Sequence, residues 1–139
     1  MKETLCTAFG LTGACFTYFI GGADTIIKVL GIIMAVDYIT GLLIAVVFHK
    51  SPKTMTGGAN SMVGFKGICK KFVMICIVGV ANQLDIALGM DIIRAGVGYA
   101  FMANETISVI ENAGIMGIPV PPILTKAIDI LNKKEETND

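Results

Sequence analysis

The feature that most limits what this chain can fold into is the spacing of its charges. From Thr4 to Ala23, 20 consecutive residues carry none. That is enough for a helix rising about 1.5 Å per residue to cross a hydrocarbon core about 30 Å thick. A second apolar stretch runs from Ile26 to Phe48, interrupted only by Lys28 near one end and Asp37 near the middle. Of the 139 residues, 54% are hydrophobic and 16% charged, against about 25% charged in soluble domains. The mean hydropathy is +0.73. In a chain this short much of any fold is surface, so lipid must cover part of it. The expected fold class is an all-α integral membrane protein.

Two further spans are expected. Phe72 to Leu84 is an uncharged core within a helix over about 67–88. Lys70 and Lys71 would snorkel at one end of it, with Asp85 near the other interface. Gly89-Met90-Asp91 reads as a tight connection to a fourth helix over about 92–113. The spans are therefore about 4–23, 26–48, 67–88 and 92–113, a bundle of four transmembrane helices, or of three if the first does not cross. A cleavable signal peptide competes for that first segment, because Gly21 and Ala23 are small. Lys2 stands beside Glu3, however, so there is no net positive start, and the segment is expected to be retained.

The segment 49–71 reads as a loop, with Ser51-Pro52, Gly57-Gly58-Ala59-Asn60 and Gly64 as turn signals. Pro119, Pro121 and Pro122 prevent simple continuation of the fourth helix. Beyond them Ile123, Leu124, Ala127, Ile128 and Leu131 recur on one helical face, with Lys126, Asp129, Lys133 and Lys134 mostly on the other. The chain is thus read as a transmembrane domain over 1–118, then a short amphipathic helix on the membrane surface and a charged tail over 119–139. With both termini and the 49–71 loop in the cytoplasm, nine Lys and Arg lie inside (Lys2, 50, 53, 66, 70, 71, 126, 133 and 134) and two, Lys28 and Arg94, outside. The positive-inside rule selects that orientation.

Other classes find little support. Net charge is zero, and nucleic-acid binding needs a basic face. Cys6, Cys15, Cys69 and Cys76 form no CxxC pair, and His49 is the single histidine. No catalytic set, cofactor site or metal-ligand pattern is legible. An enzyme is not expected.

Ionisable groups inside apolar segments are the candidates for function. Asp37 costs about 2.5–3.5 kcal/mol at mid-helix on insertion scales, so it must face protein or water. Gly31, Ala35, Gly41 and Ala45 fall within an arc of about 120° beside it, and their small-xxx-small spacing lets backbones approach closely. That face either packs within one chain or contacts other copies and becomes wet. On the fourth helix Arg94, Gly98, Phe101, Glu105, Ser108 and Asn112 share one face. Arg94 and Glu105 lie about 16 Å apart along the axis, too far to pair. Each requires another partner, in a buried network or in a pore or proton-relay lining.

These residues also carry a resemblance. Asp37-Tyr38-Ile39-Thr40-Gly41, then Gly64-Phe65-Lys66-Gly67 with Lys70-Lys71, Leu84-Asp85, Asn104-Glu105-xx-Ser108-xx-Glu111-Asn112 and Gly117-Ile118-Pro119-Val120-Pro121 follow in order. From about residue 26 to 132 the chain resembles the toxin-secretion/phage-lysis holin family of phages and prophages of Gram-positive bacteria. The Glu-Asn and Gly-x-Pro-x-Pro ending is the specific part. The resemblance implies a homo-oligomeric protein of the bacterial cytoplasmic membrane that accumulates and then opens large lesions. Its functional partners would be the lipid bilayer, copies of itself, and an endolysin or toxin cargo. A small ion channel or transporter, and an antagonist membrane subunit, remain as alternatives.

Overall fold

The structure is a computed structural model that describes residues 1–138, the side chains of Glu135 and Asn138 excepted. Asp139, at the end of the expected charged tail, lies outside the described residues. All regular structure among them is helical: α1 (Lys2–Phe19), α2 (Thr25–Leu43), α3 (Ser61–Leu88), α4 (Ile93–Ile115) and α5 (Pro122–Asn138). The last turn after α2, Ile44–Phe48, widens to a π-helical turn and ends at His49, whose φ is 51°. Thr25–Phe48 forms a helix of 24 residues with a mean hydropathy of 2.3. Among the described helices it alone is long and apolar enough, by length and composition, to cross a membrane.

Local chemistry fixes the helix ends. The Asp24 carboxylate accepts from the Ile27 amide at 3.1 Å and starts α2. Asn60 accepts from the amides of Met62 (2.9 Å) and Val63 (3.2 Å) and starts α3. The Asn60 cap corrects the expected loop over 49–71. α3 begins at Ser61, and Lys66, Lys70 and Lys71 are helical. At its far end Gly89 takes the left-handed conformation, φ 65°, and the Met90 amide donates to the Asp85 carbonyl at 2.8 Å. This closure suits glycine, which has no Cβ to clash there. α4 closes in the same way at Gly117, φ 79°, with the Ile118 amide on the Ala113 carbonyl at 2.9 Å. Pro122 then opens α5, where a missing N–H costs nothing.

α4 is the central element and packs against α2, α3 and α5, whereas α2 and α3 make few contacts with each other. Leu30 and Met34 of α2, Val78 of α3 and Met102 of α4 form the buried core, with Ile26, Val97 and Leu131 packed around it. The core is small beside the apolar side chains left outside. Ile32, Ile39, Val47, Phe65, Phe72 and Val80 are all more than half exposed. Apolar surface on that scale requires lipid or further protein over it.

The two ends of the chain depart from a simple bundle. α1 has no buried residue and touches the remainder through its last turn, where Phe19 lies against Gly79. α5 does not stand apart as a separate unit. It doubles back along α4, burying Ile128, bringing Leu131 to the core and setting the Lys134 ammonium 5.2 Å above the Tyr99 ring.

Candidate functional site

Three helices each place one ionisable side chain at the same level. Asp37 sits mid-way along α2 and is 7% exposed; Glu105 sits mid-way along α4 and is likewise 7% exposed. Lys71 of α3 reaches between them. Its ammonium donates to Asp37 Oδ2 at 2.7 Å and to Glu105 Oε2. Asn112, one face-repeat beyond Glu105 on α4, donates to Asp37 Oδ1 at 3.2 Å, to the Asp37 carbonyl at 3.3 Å and to Thr40 Oγ1 at 2.9 Å. The Thr40 hydroxyl donates in turn to the Asp37 carbonyl at 3.0 Å. Every buried side-chain nitrogen and oxygen among the described residues has a partner.

With all three groups ionised, two carboxylates share one ammonium, an excess of one negative charge in a water-poor interior. Such a network depends above all on its shared cation. Removal of the Lys71 ammonium leaves two uncompensated buried carboxylates, at a cost of about 3–5 kcal/mol, whereas removal of one acid leaves a balanced pair. The network borders a cavity of about 730 Å³ that opens between α2, α3, α4 and the 49–60 turn region, lined in part by Ser51, Lys53, Lys70 and Ser108.

A second polar cluster closes the opposite end. Arg94 grips Asp24 through two bonds, Nη1 to Oδ2 at 2.7 Å and Nη2 to Oδ1 at 3.0 Å. It also donates to the carbonyls of Ile20 at 2.6 Å and Gly22 at 3.2 Å. Asn82 and Gln83 of α3 donate to the Phe19 carbonyl at 3.1 and 3.2 Å. The turn from α1 into α2 is thereby fastened to α3 and α4. Arg94's hydrogen bond holds the Asp24 carboxyl below its ordinary value of 3.8, with the Ile27 amide adding to the shift and partial burial opposing it. Asp85, also buried, accepts from the amides of Ile93 (3.0 Å) and Arg94 (2.8 Å) and so caps α4 from α3.

Of the residues singled out in the sequence, Asp37, Glu105 and Asn112 come together, and Ser108 lines the cavity beside them. Arg94 does not join them; its partner is Asp24 at the other end. Phe101 and Gly98 serve packing, Phe101 against the core and Gly98 beneath Ile26. The small-residue arc divides. Ala45 is buried, Gly41 faces the Asn112 amide at 3.9 Å, and Gly31 and Ala35 stay exposed along a groove between α2 and α3.

Lys71 is a correction. It was expected to snorkel outward, and instead turns inward to join two acids. The signal was present: Gly67, Lys71, Met74, Val78, Ala81 and Asp85 recur at spacings of three and four, one helical face. Asp24, Asn82 and Gln83 do not stand out in the sequence, because their partners, the Arg94 guanidinium and the Phe19 carbonyl, come from the α1–α2 turn and from another helix, which spacing along one helix does not reveal.

A bacteriophage holin family model matches residues 14–133. An uncharacterised protein of Listeria monocytogenes is 38% identical over 138 residues, covering 94% of this chain and 93% of the relative. One of Halalkalibacterium halodurans is 34% identical over 142 residues, covering 97% and 98%. One of Bacillus subtilis is 25% identical over 142 residues, covering 100% and 95%. No solved structure matches the chain. The family pattern runs from within α1 into α5 and takes in every residue of both polar clusters, and on that match the chain belongs to the bacteriophage holin family.

Proposed function

We propose that this chain acts as a holin: copies assemble in the bacterial cytoplasmic membrane and open a lesion wide enough to release an endolysin or, alternatively, a toxin. The observation that carries this reading is the Lys71–Asp37–Glu105 network, buried at mid-helix in a bundle whose outer faces are apolar. Charges so placed have two low-energy arrangements. They pair with one another inside a closed protomer, or they face water in an assembly. Opening is then a repacking in which α2, α3 and α4 exchange partners and turn the network toward a wet lumen.

The back-folded α5 supports the same reading. If α4 spans the bilayer, Lys126, Asp129 and Lys133 lie alongside it on the outward side of α5, and all three are exposed. Charged groups at that level are tolerated only against water or other protein. In this arrangement α2, α3 and α4 span, and α1 forms a fourth span fastened at its outer end by Arg94.

The test is inducible expression in a bacterium with a co-expressed cytoplasmic endolysin, following viability, membrane potential and endolysin release. Abrupt release of the enzyme after a lag supports the proposal. Loss of potential with the endolysin retained favours a small ion channel, the second reading, which the excess acid beside the cavity would suit for cations. Purified protein in liposomes separates the two directly, by release of a folded protein cargo against ion-selective current alone.

A further inference from the structure

Two cavities that share a wall lie between α2 and α3. The first is a groove of about 350 Å³ on the outer face, walled by Gly31, Met34, Ala35, Phe72 and Ile75. The second is the polar cavity of about 730 Å³ already described. Tyr38, Ile68 and Lys71 line both, so the apolar groove leads into the polar cavity at the level of the Lys71 ammonium. The groove exists because α2 and α3 are held together through α4 rather than by each other, and because Gly31 and Ala35 have little side chain to fill it. Lys53 and Lys70 line the polar cavity, both exposed, and among the described residues neither is within ion-pair distance of an acid. The segment 49–71 carries five lysines and no acid. The deep acids, Asp37 and Glu105, are already held by Lys71 and Asn112.

We propose that this paired groove and cavity is a binding site for an anionic phospholipid, one acyl chain lying between α2 and α3 and the headgroup phosphate held by Lys53 and Lys70. Both volumes fall within the range of about 300–1,000 Å³ usual for small-molecule sites. Basic pockets between helices at the cytoplasmic face select anionic headgroups. A helix of a second copy is the competing occupant, but a helix is about 10–12 Å across with its side chains and brings no phosphate to the free lysines. The lipid fills space the protomer leaves open and neutralises its free basic end. The site requires residence in a bilayer; it does not require lesion formation.

The experiment measures lipid retained by the purified full-length chain after reconstitution in vesicles of equal parts phosphatidylglycerol and phosphatidylcholine, read by native mass spectrometry. Retention of phosphatidylglycerol over phosphatidylcholine is expected. It should fall at least about tenfold in the Lys53→Gln/Lys70→Gln double variant, since each lysine near an anionic headgroup contributes a several-fold preference. Gly31→Leu, whose added Cβ meets nothing within 4 Å, should expel both lipids while helical content is unchanged. Inorganic phosphate in excess should not displace the lipid. A photoreactive residue at Ala35 should capture lipid. Equal retention of the two lipids, displacement by phosphate, or capture of a second chain at Ala35 would overturn the proposal. A protein that keeps phosphatidylglycerol but releases no endolysin upholds the lipid site and removes the lysis reading.

Discussion

At the scale of single residues, Lys71 decides whether two buried carboxylates are tolerable. Lys71→Met removes the shared cation and should destabilise the closed protomer by about 3–5 kcal/mol. Thermal unfolding of detergent-solubilised protein and membrane accumulation check this. The triple variant Lys71→Met/Asp37→Asn/Glu105→Gln, which removes all three charges, should restore accumulation; if it does not, burial of charge is not the reason for the defect. Glu105 tests gating separately. Glu105→Gln keeps the shape and part of the hydrogen bonding and should shift the onset of lysis at normal protein level, whereas Glu105→Leu should nearly abolish lysis. Wild-type timing in both at equal membrane levels would remove Glu105 from gating. Asp24 predicts the acid limb of stability. Its folded value lies below its ordinary 3.8, so its contribution is complete above that value and is lost as pH falls through the folded one. Melting temperature should therefore fall on acidification below about pH 4, and Asp24→Asn should lower the melting temperature at neutral pH and flatten that acid limb.

At the scale of elements, α4 organises the fold because its faces meet α2, α3 and α5. The hairpin of α4 and α5 was only half legible. Pro119, Pro121 and Pro122 announced the break, and the apolar face of α5 was plain in the sequence. That face would suit a membrane surface as well as a neighbouring helix. Ile128 and Leu131 turn to α4 in the structure, while Ile123 and Ile130 stay exposed. Cysteines at Tyr99 and Lys134, which meet in the structure, in a background with the four native cysteines replaced by serine, should be joined by a short bismaleimide crosslinker in isolated membranes. Absence of the crosslink with normal insertion would place α5 away from α4. The beginning of α3 was misread by six residues because a lone Asn60 among glycines looks like turn chemistry, and it is the geometry of its two amide bonds that makes it a helix cap.

At the scale of the whole molecule, a member of the holin family is a membrane protein, and its charge pattern sets an expected orientation. A reporter fusion after Pro52 should report cytoplasm, since the 49–71 segment carries five lysines and no acid. A fusion after Lys134 separates an α5 on the cytoplasmic surface from one folded back along α4, where Lys134 stands over Tyr99 toward the Arg94 end. A periplasmic signal at Pro52 would reverse the arrangement, and a fusion at Met1 tests the first span. Composition and charge spacing determined the helical class, because a chain with so few charges can satisfy its backbone in lipid only by helices or closed barrels, and no alternating strand pattern is present. The same residues marked Asp37, Glu105 and Asn112 as groups in need of partners, since an ionisable or amide side chain in an apolar helix is costly wherever it is left unpaired. Which groups meet was decided only by tertiary structure. Helical periodicity gives the face a residue occupies, but not the rotation and height at which helices from distant parts of the chain come to rest. The packing of α2 and α3 on α4 therefore set Lys71 between two acids, sent Arg94 to Asp24, and left a groove where two helices make few contacts.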